Sequence, residues 1–276
     1  MTYIGSARLE AEGLDDFELT IEHGIAIDAL DIGYPSIRTV AEDHPDRHGQ
    51  DDQTALFGGR AVVLSGAIVP TATASRQEVL DRLGAFLVPW RRPHLVYELE
   101  PGSGLRRIRL APDQHSRPIT QPNLAQVTMG WRAPDGIQEA YDLLSVEGEP
   151  GEGYSETYEE IYEGIPALEF DLPGNVPVYP ILRAYGPANG VEVVNATTGA
   201  RIKFTDTILA TDADYVEIDH VNRIARINGA GLAIDTIVLP MSSWWTLEPG
   251  VNSLRYRPVG SGLAAHLVAS ARPGWI

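Results

Sequence analysis

The chain has 276 residues, 43% hydrophobic and 21% charged, and its 21 basic against 38 acidic residues leave a net charge of −17. Nucleic-acid binding as a main activity is excluded, because phosphate affinity comes from Lys and Arg displacing counterions. With no cysteine, disulfides, thiol catalysis, and cysteine-held zinc or iron–sulfur sites are excluded too.

The length suits one large or two ordinary domains. The longest apolar run, Ala61–Pro70, is far short of the ~20 residues that span a bilayer, so no membrane contact is expected. The stretch from Met1 to Gly13 has neither the basic nor the apolar part of a secretory signal. Of the basic residues only Lys203 is lysine. Arginine dominance fits a GC-rich coding genome, and also planar, bidentate contacts at interfaces.

Gly and Pro together make 47 of 276 residues and recur between short runs of alternating apolar residues. That pattern predicts an all-β chain with many turns. In the first half the expected strands are Phe17–Ile21, Ala61–Val69, His94–Leu99, Arg107–Leu110 and Ala125–Trp131. In the last of these, Ala125, Val127, Met129 and Trp131 alternate with Gln126, Thr128 and Gly130, so one face is buried. One helix interrupts the series. Ser75 is its N-cap and Glu78 completes a capping box. Val79, Leu80, Leu83, Phe86 and Leu87 follow at helical spacing, and Pro89 ends the run.

Residues 139–171 hold eleven acidic residues and no basic one. Gly148–Gly153 is linker-like, and Tyr154, Tyr158 and Tyr162 stand at i, i+4, i+8, which suggests a short amphipathic helix or an ordered connector. From about Ala167 nine short strands are expected, with turns at Asn189-Gly190, Thr198-Gly199, Asn228-Gly229 and Pro249-Gly250. This density of strands reads as a β-sandwich. The domains are therefore expected at 1–138 and 167–276, with 139–166 as an acidic Tyr/Glu-rich connector.

Reactive constellations are weak. His44 and His48 have i, i+4 spacing, but Pro45 between them opposes a helical metal pair. There is no Gly-x-Ser-x-Gly elbow and no Walker loop. Asp212, Asp214, Glu217 and Asp219 crowd together without the glycine and bidentate Glu spacing of a calcium loop. Trp244-Trp245 offers a sugar-stacking surface. Adjacent strand residues face opposite ways, so at most one of the pair is expected on a binding face. No catalytic residue, metal or cofactor is expected from these patterns.

The C-terminal half carries a more specific pattern. Pro180 to Gly186 leads to Asn195–Gly199, then Ile218-Asp219, Arg223 to Gly229, and Trp244, Trp245, Leu247, Pro249, Gly250 and Asn252. This resembles the distal tail proteins (Dit) of long-tailed siphophages. The N-terminal half matches more loosely, through Arg38, Gly49, Arg60 and Gly66. In LEPGVN, Pro249 sets φ for a tight turn, Gly250 supplies a positive φ, and Asn252 can bond backbone groups that the turn frees. These residues hold a fold.

The resemblance implies an all-β protein with minor α. It has an N-terminal β-barrel-like ring-forming domain with one helix and a C-terminal galectin-like β-sandwich. It also implies a structural virion protein, not an enzyme. The homohexameric distal tail ring would join the tail tube protein to the tail-tip hub of the baseplate. It would pass the genome through an open lumen and offer a place for receptor-binding or other minor tail proteins. Such a protein sits at the distal end of the virion tail and is assembled in the host bacterial cytoplasm. The alternative from another class is a carbohydrate-binding β-sandwich module or sugar-active enzyme. Arg91, Arg92, Arg106, Arg107 and Arg109 are the expected subunit interface, facing residues 1–52 with thirteen acids against three arginines. The acidic segment Glu42–Asp52 is expected near the bore or the tube interface.

Overall fold

The computed structural model describes residues 6–38, 41–43, 50–52, 56–71, 75–112, 119–121, 124–148, 167–205, 208–232, 237, 242–259 and 264–276. Its contacts divide the chain into two compact units, Met1–Tyr141 with Ile276, and Asp142–Trp275.

The first unit holds β1 (Ser6–Glu10), β2 (Phe17–Glu18), β3 (Ile25–Ile32), β4 (Ile37–Arg38), β5 (Ala41–Asp43), β6 (Gln50–Asp52), β7 (Leu56–Phe57) and β8 (Arg60–Ile68). After helix α1 (Arg76–Ala85) come β9 (His94–Glu98), β10 (Arg106–Arg109), β11 (Ala111–Pro112), β12 (Ile119–Gln121), β13 (Leu124–Ala133) and β14 (Gln138–Ala140). One antiparallel sheet runs β2-β1-β9-β10-β14 and a second runs β11-β13-β8-β3, with β12 also on β13. Two short ladders, β4-β7 and β5-β6, complete the unit. The expected barrel is thus a pair of open sheets. Among the described residues the second sheet ends on β3 at one side and β11 at the other, with no pairing that closes it.

Alternation explains the layers. In β8 Arg60, Val62, Leu64 and Ile68 are buried, while Ala61 and Val63 face outward. The same core takes Leu9, Phe17, Leu95, Val127 and Met129. Helix α1 adds Val79 and Leu83. Its capping box is formed: Glu78 N–H donates to Ser75 Oγ and Ser75 N–H donates to Glu78 Oε2. The strand expected at Phe17–Ile21 stops at Glu18, and a 3-10 turn occupies Ile21–His23.

The second unit holds β15 (Leu144–Glu147), β16 (Leu168–Leu172), β17 (Ile181–Tyr185), β18 (Gly190–Asn195), β19 (Arg201–Phe204), β20 (Tyr215–Asp219), β21 (Ile224–Ile227), β22 (Gly231–Leu232), β23 (Gly250–Val259), β24 (Leu267–Ala271) and β25 (Gly274–Trp275). Its sheets run β15-β24-β17-β20-β21-β22 and β16-β23-β18-β19. Phe170, Leu182, Val193, Phe204, Ile218, Leu254 and Ala269 fill one core shared by both sheets. This is the expected sandwich. Each fully buried Phe or Leu contributes about 1.5–3 kcal/mol relative to exposure.

At the expected connector, Glu139 and Ala140 lie in β14 on β10, and Leu144–Glu147 pairs with β24. Residues 149–166, with the three spaced tyrosines, lie outside the described residues.

Candidate functional site

Most of the C-terminal motif residues, far apart in sequence, meet at one end of the sandwich, whereas Gly186 and Gly229 lie at the other, beside Asp214 and Tyr215. Asn195 ends β18 and is fully buried. Its Oδ1 accepts the Thr197 and Thr198 N–H groups at 3.0 and 3.3 Å, and its Nδ2 donates to Thr246 O at 3.4 Å. Gly199 follows, with its N–H on Asn195 O. Thr197 Oγ1 accepts the Ser253 N–H at 2.9 Å. One buried amide therefore shapes the β18–β19 turn and ties it to the chain after Trp245.

Asn252, also fully buried, does the same for the next turn. Its Oδ1 accepts the Glu248 N–H at 3.0 Å, and its Nδ2 donates to Glu248 O at 2.7 Å and Gly250 O at 3.0 Å. Gly250 adopts φ +94°, a conformation costly for any residue with a Cβ. Leu247, one residue before this turn, is fully buried and bridges to Val178. Asp219 closes the hairpin that leads to Gly229. Its two carboxylate oxygens accept the Asn222 backbone N–H at 2.9 Å and the Asn222 Nδ2 at 2.6 Å.

Beside these turns lies a buried aromatic group around His220, a residue the motif reading passed over. His220 Nδ1 accepts the Trp245 N–H at 3.0 Å. Its ring meets Trp245 at 4.4 Å and the edge of Trp244 at 5.5 Å between centroids. Burial lowers its pKa to about 4. Trp244 and Trp245 do not lie on a strand with opposed faces. Trp245 is 6% exposed in the core and Trp244 packs against it. Alternation could have found the histidine, because Val216, Ile218 and His220 occupy successive inward positions.

In the first unit Arg60 is 3% exposed, and its Nη2 donates to Gly136 O. Burial pulls its pKa below the usual arginine value. Gly66 sits where a Cβ would strike the backbone of Ala26, opposite the bulge in β3 between Ile27 and Ala29. Arg38 lies in β4, which pairs with β7. Gly49, His44 and His48 lie outside the described residues, as does most of the acidic stretch between Glu42 and Asp52.

The five expected interface arginines divide. Arg107 donates twice to Glu139 Oε2, at 2.9 and 2.7 Å, and Arg109 pairs with Asp135 at 3.0 Å. Arg106 donates to Gln138 Oε1 at 3.2 Å, an oxygen that also accepts the buried Tyr97 hydroxyl at 2.5 Å. Burial raises the Tyr97 pKa. These three therefore have partners inside the chain. Arg91 and Arg92 follow Trp90, which is 77% exposed, and among the described residues Arg92 Nη1 donates only to nearby backbone, to Pro89 O at 2.6 Å and Arg91 O at 3.0 Å.

Three of the four crowded carboxylates, Asp214, Glu217 and Asp219, have structural partners. Asp214 lies below the usual carboxylate range because Asn228 Nδ2 and Thr211 donate to it. Glu217 pairs with Arg183 at 2.9 Å. Among the described residues no group of three or more His, Asp or Glu is arranged to hold a metal ion.

Residues 173–266 match the sequence model of the siphovirus-type tail component, C-terminal domain. The matched residues lie wholly within the C-terminal unit. The fold of the whole chain is similar to the crystal structure of the phage SPP1 Dit protein. That match has a TM-score of 0.67 and 11% identity, and covers 98% of this chain and 99% of that one. The SPP1 protein is described as a paradigm of the hub of the adsorption apparatus in phages infecting Gram-positive bacteria. The phage p2 baseplate in its activated conformation with strontium also matches, at 10% identity and TM-score 0.49, over 96% of this chain and 97% of that one. No curated protein matches the chain.

The distal-tail resemblance read from the motifs is thus supported by the family match and by a shared fold. The tail-component motif residues are inward-facing amides, turn residues and core aromatics. They shape the turns and the core of the sandwich.

Proposed function

We propose that this tail component is the distal tail protein of a long-tailed phage, a structural part of the virion and not an enzyme. In this reading the first unit closes as a homohexameric ring, and the second extends from it as a sandwich. The ring stacks on the last ring of the tail tube protein, docks the tail-tip hub protein on its other face, and leaves a lumen for the genome. Receptor-binding or other minor tail proteins attach around it. Assembly takes place in the bacterial cytoplasm.

The observation that carries this reading is the extent of the likeness to a Dit fold: it covers 98% of the chain, so both units have counterparts, beyond the residues the family model matches. Mass photometry of the purified full-length chain tests it. The reading expects particles of six chains of 30.0 kDa each. A stable single chain at every concentration would count against it. Closed rings arise when a head-to-tail contact has a rotation that returns to its start.

A further inference from the structure

In the sheet β16-β23-β18-β19, one face is buried and the other carries an uneven distribution of charge. Val191, Val193, Ile202, Phe204, Leu254 and Tyr256 point inward, so their neighbours in each strand point outward. Register then places Lys203 and Arg257 on either side of Glu192, and Arg201 and Arg255 on either side of Val194. The four cations stand at the corners of a rectangle. It measures about 7 Å along the strands and about 9.5 Å across them.

Within the rectangle Glu192 is the only carboxylate, and it is shared: Arg201 lies 3.5 Å and Arg257 3.6 Å from its oxygens. Those distances exceed the 2.7–2.9 Å of a charge-assisted hydrogen bond, so Glu192 does not saturate Arg201, while Arg257 makes a further contact within the chain. The buried Arg255 Nε has no hydrogen-bond partner, and Lys203 joins no ion pair among the described residues. Among the described residues this part of the face thus carries four cations and one carboxylate, in a chain of net charge −17. The opposite edge carries Glu169 and Asp171 on β16, which limits the basic lane to the β23, β18 and β19 part of the face. Val194 lies between the cations, so the lane is not wholly polar.

We propose that this face docks an extended acidic protein segment with carboxylates at alternate positions. In an extended chain, side chains on one face repeat about every 7 Å. That matches the spacing of Arg255 to Arg257 and of Arg201 to Lys203. Planar carboxylates can take arginine bidentately. Glu192 at the centre opposes a continuous polyanion, whereas separate carboxylates can straddle it. The proposal goes beyond ring assembly and does not rest on it.

Fluorescence anisotropy with the full-length chain tests the proposal. The probe is a labelled peptide of four Thr-Glu repeats, and the comparison is four Thr-Gln repeats. Binding of the Thr-Glu peptide at low salt, its loss at high salt, and no binding of the Thr-Gln peptide are expected. The double variant Arg201→Gln, Lys203→Gln should weaken binding about tenfold. The pair Arg183→Gln, Arg226→Gln, on the other sheet, removes the same charge and should leave binding unchanged. Circular dichroism of both variants checks that they fold. Equal binding of both peptides, equal loss in both variants, or no binding would overturn the proposal. So would tighter binding of inorganic polyphosphate than of the Thr-Glu peptide. Self-association lost only in the Arg201/Lys203 variant, without peptide binding, would assign the face to a second copy and overturn it as well.

Discussion

His220 accepts the backbone N–H of Trp245 through Nδ1 at 3.0 Å, which joins two family motif segments inside the core. The bond requires the neutral ring. Protonation would set a second donor against the Trp245 N–H and place a charge where burial is complete.

The pH dependence follows from that geometry. Burial holds His220 at about 4 in the folded state against 6.5 ordinarily. Between those values the unfolded chain binds more protons, so stability falls as pH drops from about 6.5 to about 4 and is unaffected by this group above that window. The contribution is roughly 3 kcal/mol. Melting of the full-length chain should therefore drop through this range, and His220→Gln should fall less steeply. Identical slopes for the two proteins would remove His220 from the account.

Trp245→Ala should cost about 3–5 kcal/mol, the usual range for a buried aromatic. Trp244→Ala should cost less, because Trp244 is only partly buried against the core. Thermal unfolding measures both. Unchanged melting combined with a loss of glycan binding would instead favour a sugar-binding module.

Asn252→Ala removes three hydrogen bonds to the turn, for a loss of roughly 2–4 kcal/mol. Asn252→Asp should be worse at neutral pH. A carboxylate cannot donate to Glu248 O and Gly250 O, and it brings an unpaired buried charge. Chemical denaturation of both variants checks the order, and a milder Asp variant would mean that the turn is held otherwise.

Arg107 and Arg109 already have partners in the chain. Their exchange for Gln should cost about 0.2–1 kcal/mol each and leave assembly intact. Charge reversal of Arg91 and Arg92, beside exposed Trp90, is expected to weaken subunit contact. Sizing of the two double variants distinguishes them, and impaired assembly in the Arg107/Arg109 variant would reverse the assignment.

Local chemistry was legible in the sequence. The capping box of α1 and the Pro249-Gly250-Asn252 turn involve residues within four positions of one another, and both formed as read. The sandwich also followed, because alternation and turn spacing specify strands. Less legible were features set by strand register. The pairing of Arg107 with Glu139 joins the neighbouring strands β10 and β14, and nothing near either residue in sequence announces it. The open sheets of the first unit depend on which strands fail to meet. The Trp pair was read with strand alternation, but the segment is irregular and is oriented by a histidine 25 residues away.

The distal-tail assignment is tested most directly by cryo-electron microscopy of the assembled full-length chain. The account predicts a closed ring of six copies built on the first unit, with the sandwich unit attached to it. Its open lumen should be lined by acidic or neutral side chains, since wall arginines would retain passing phosphates. An arginine-lined bore would contradict the electrostatic part. Open filaments, or particles that never close into a ring, would contradict the central claim.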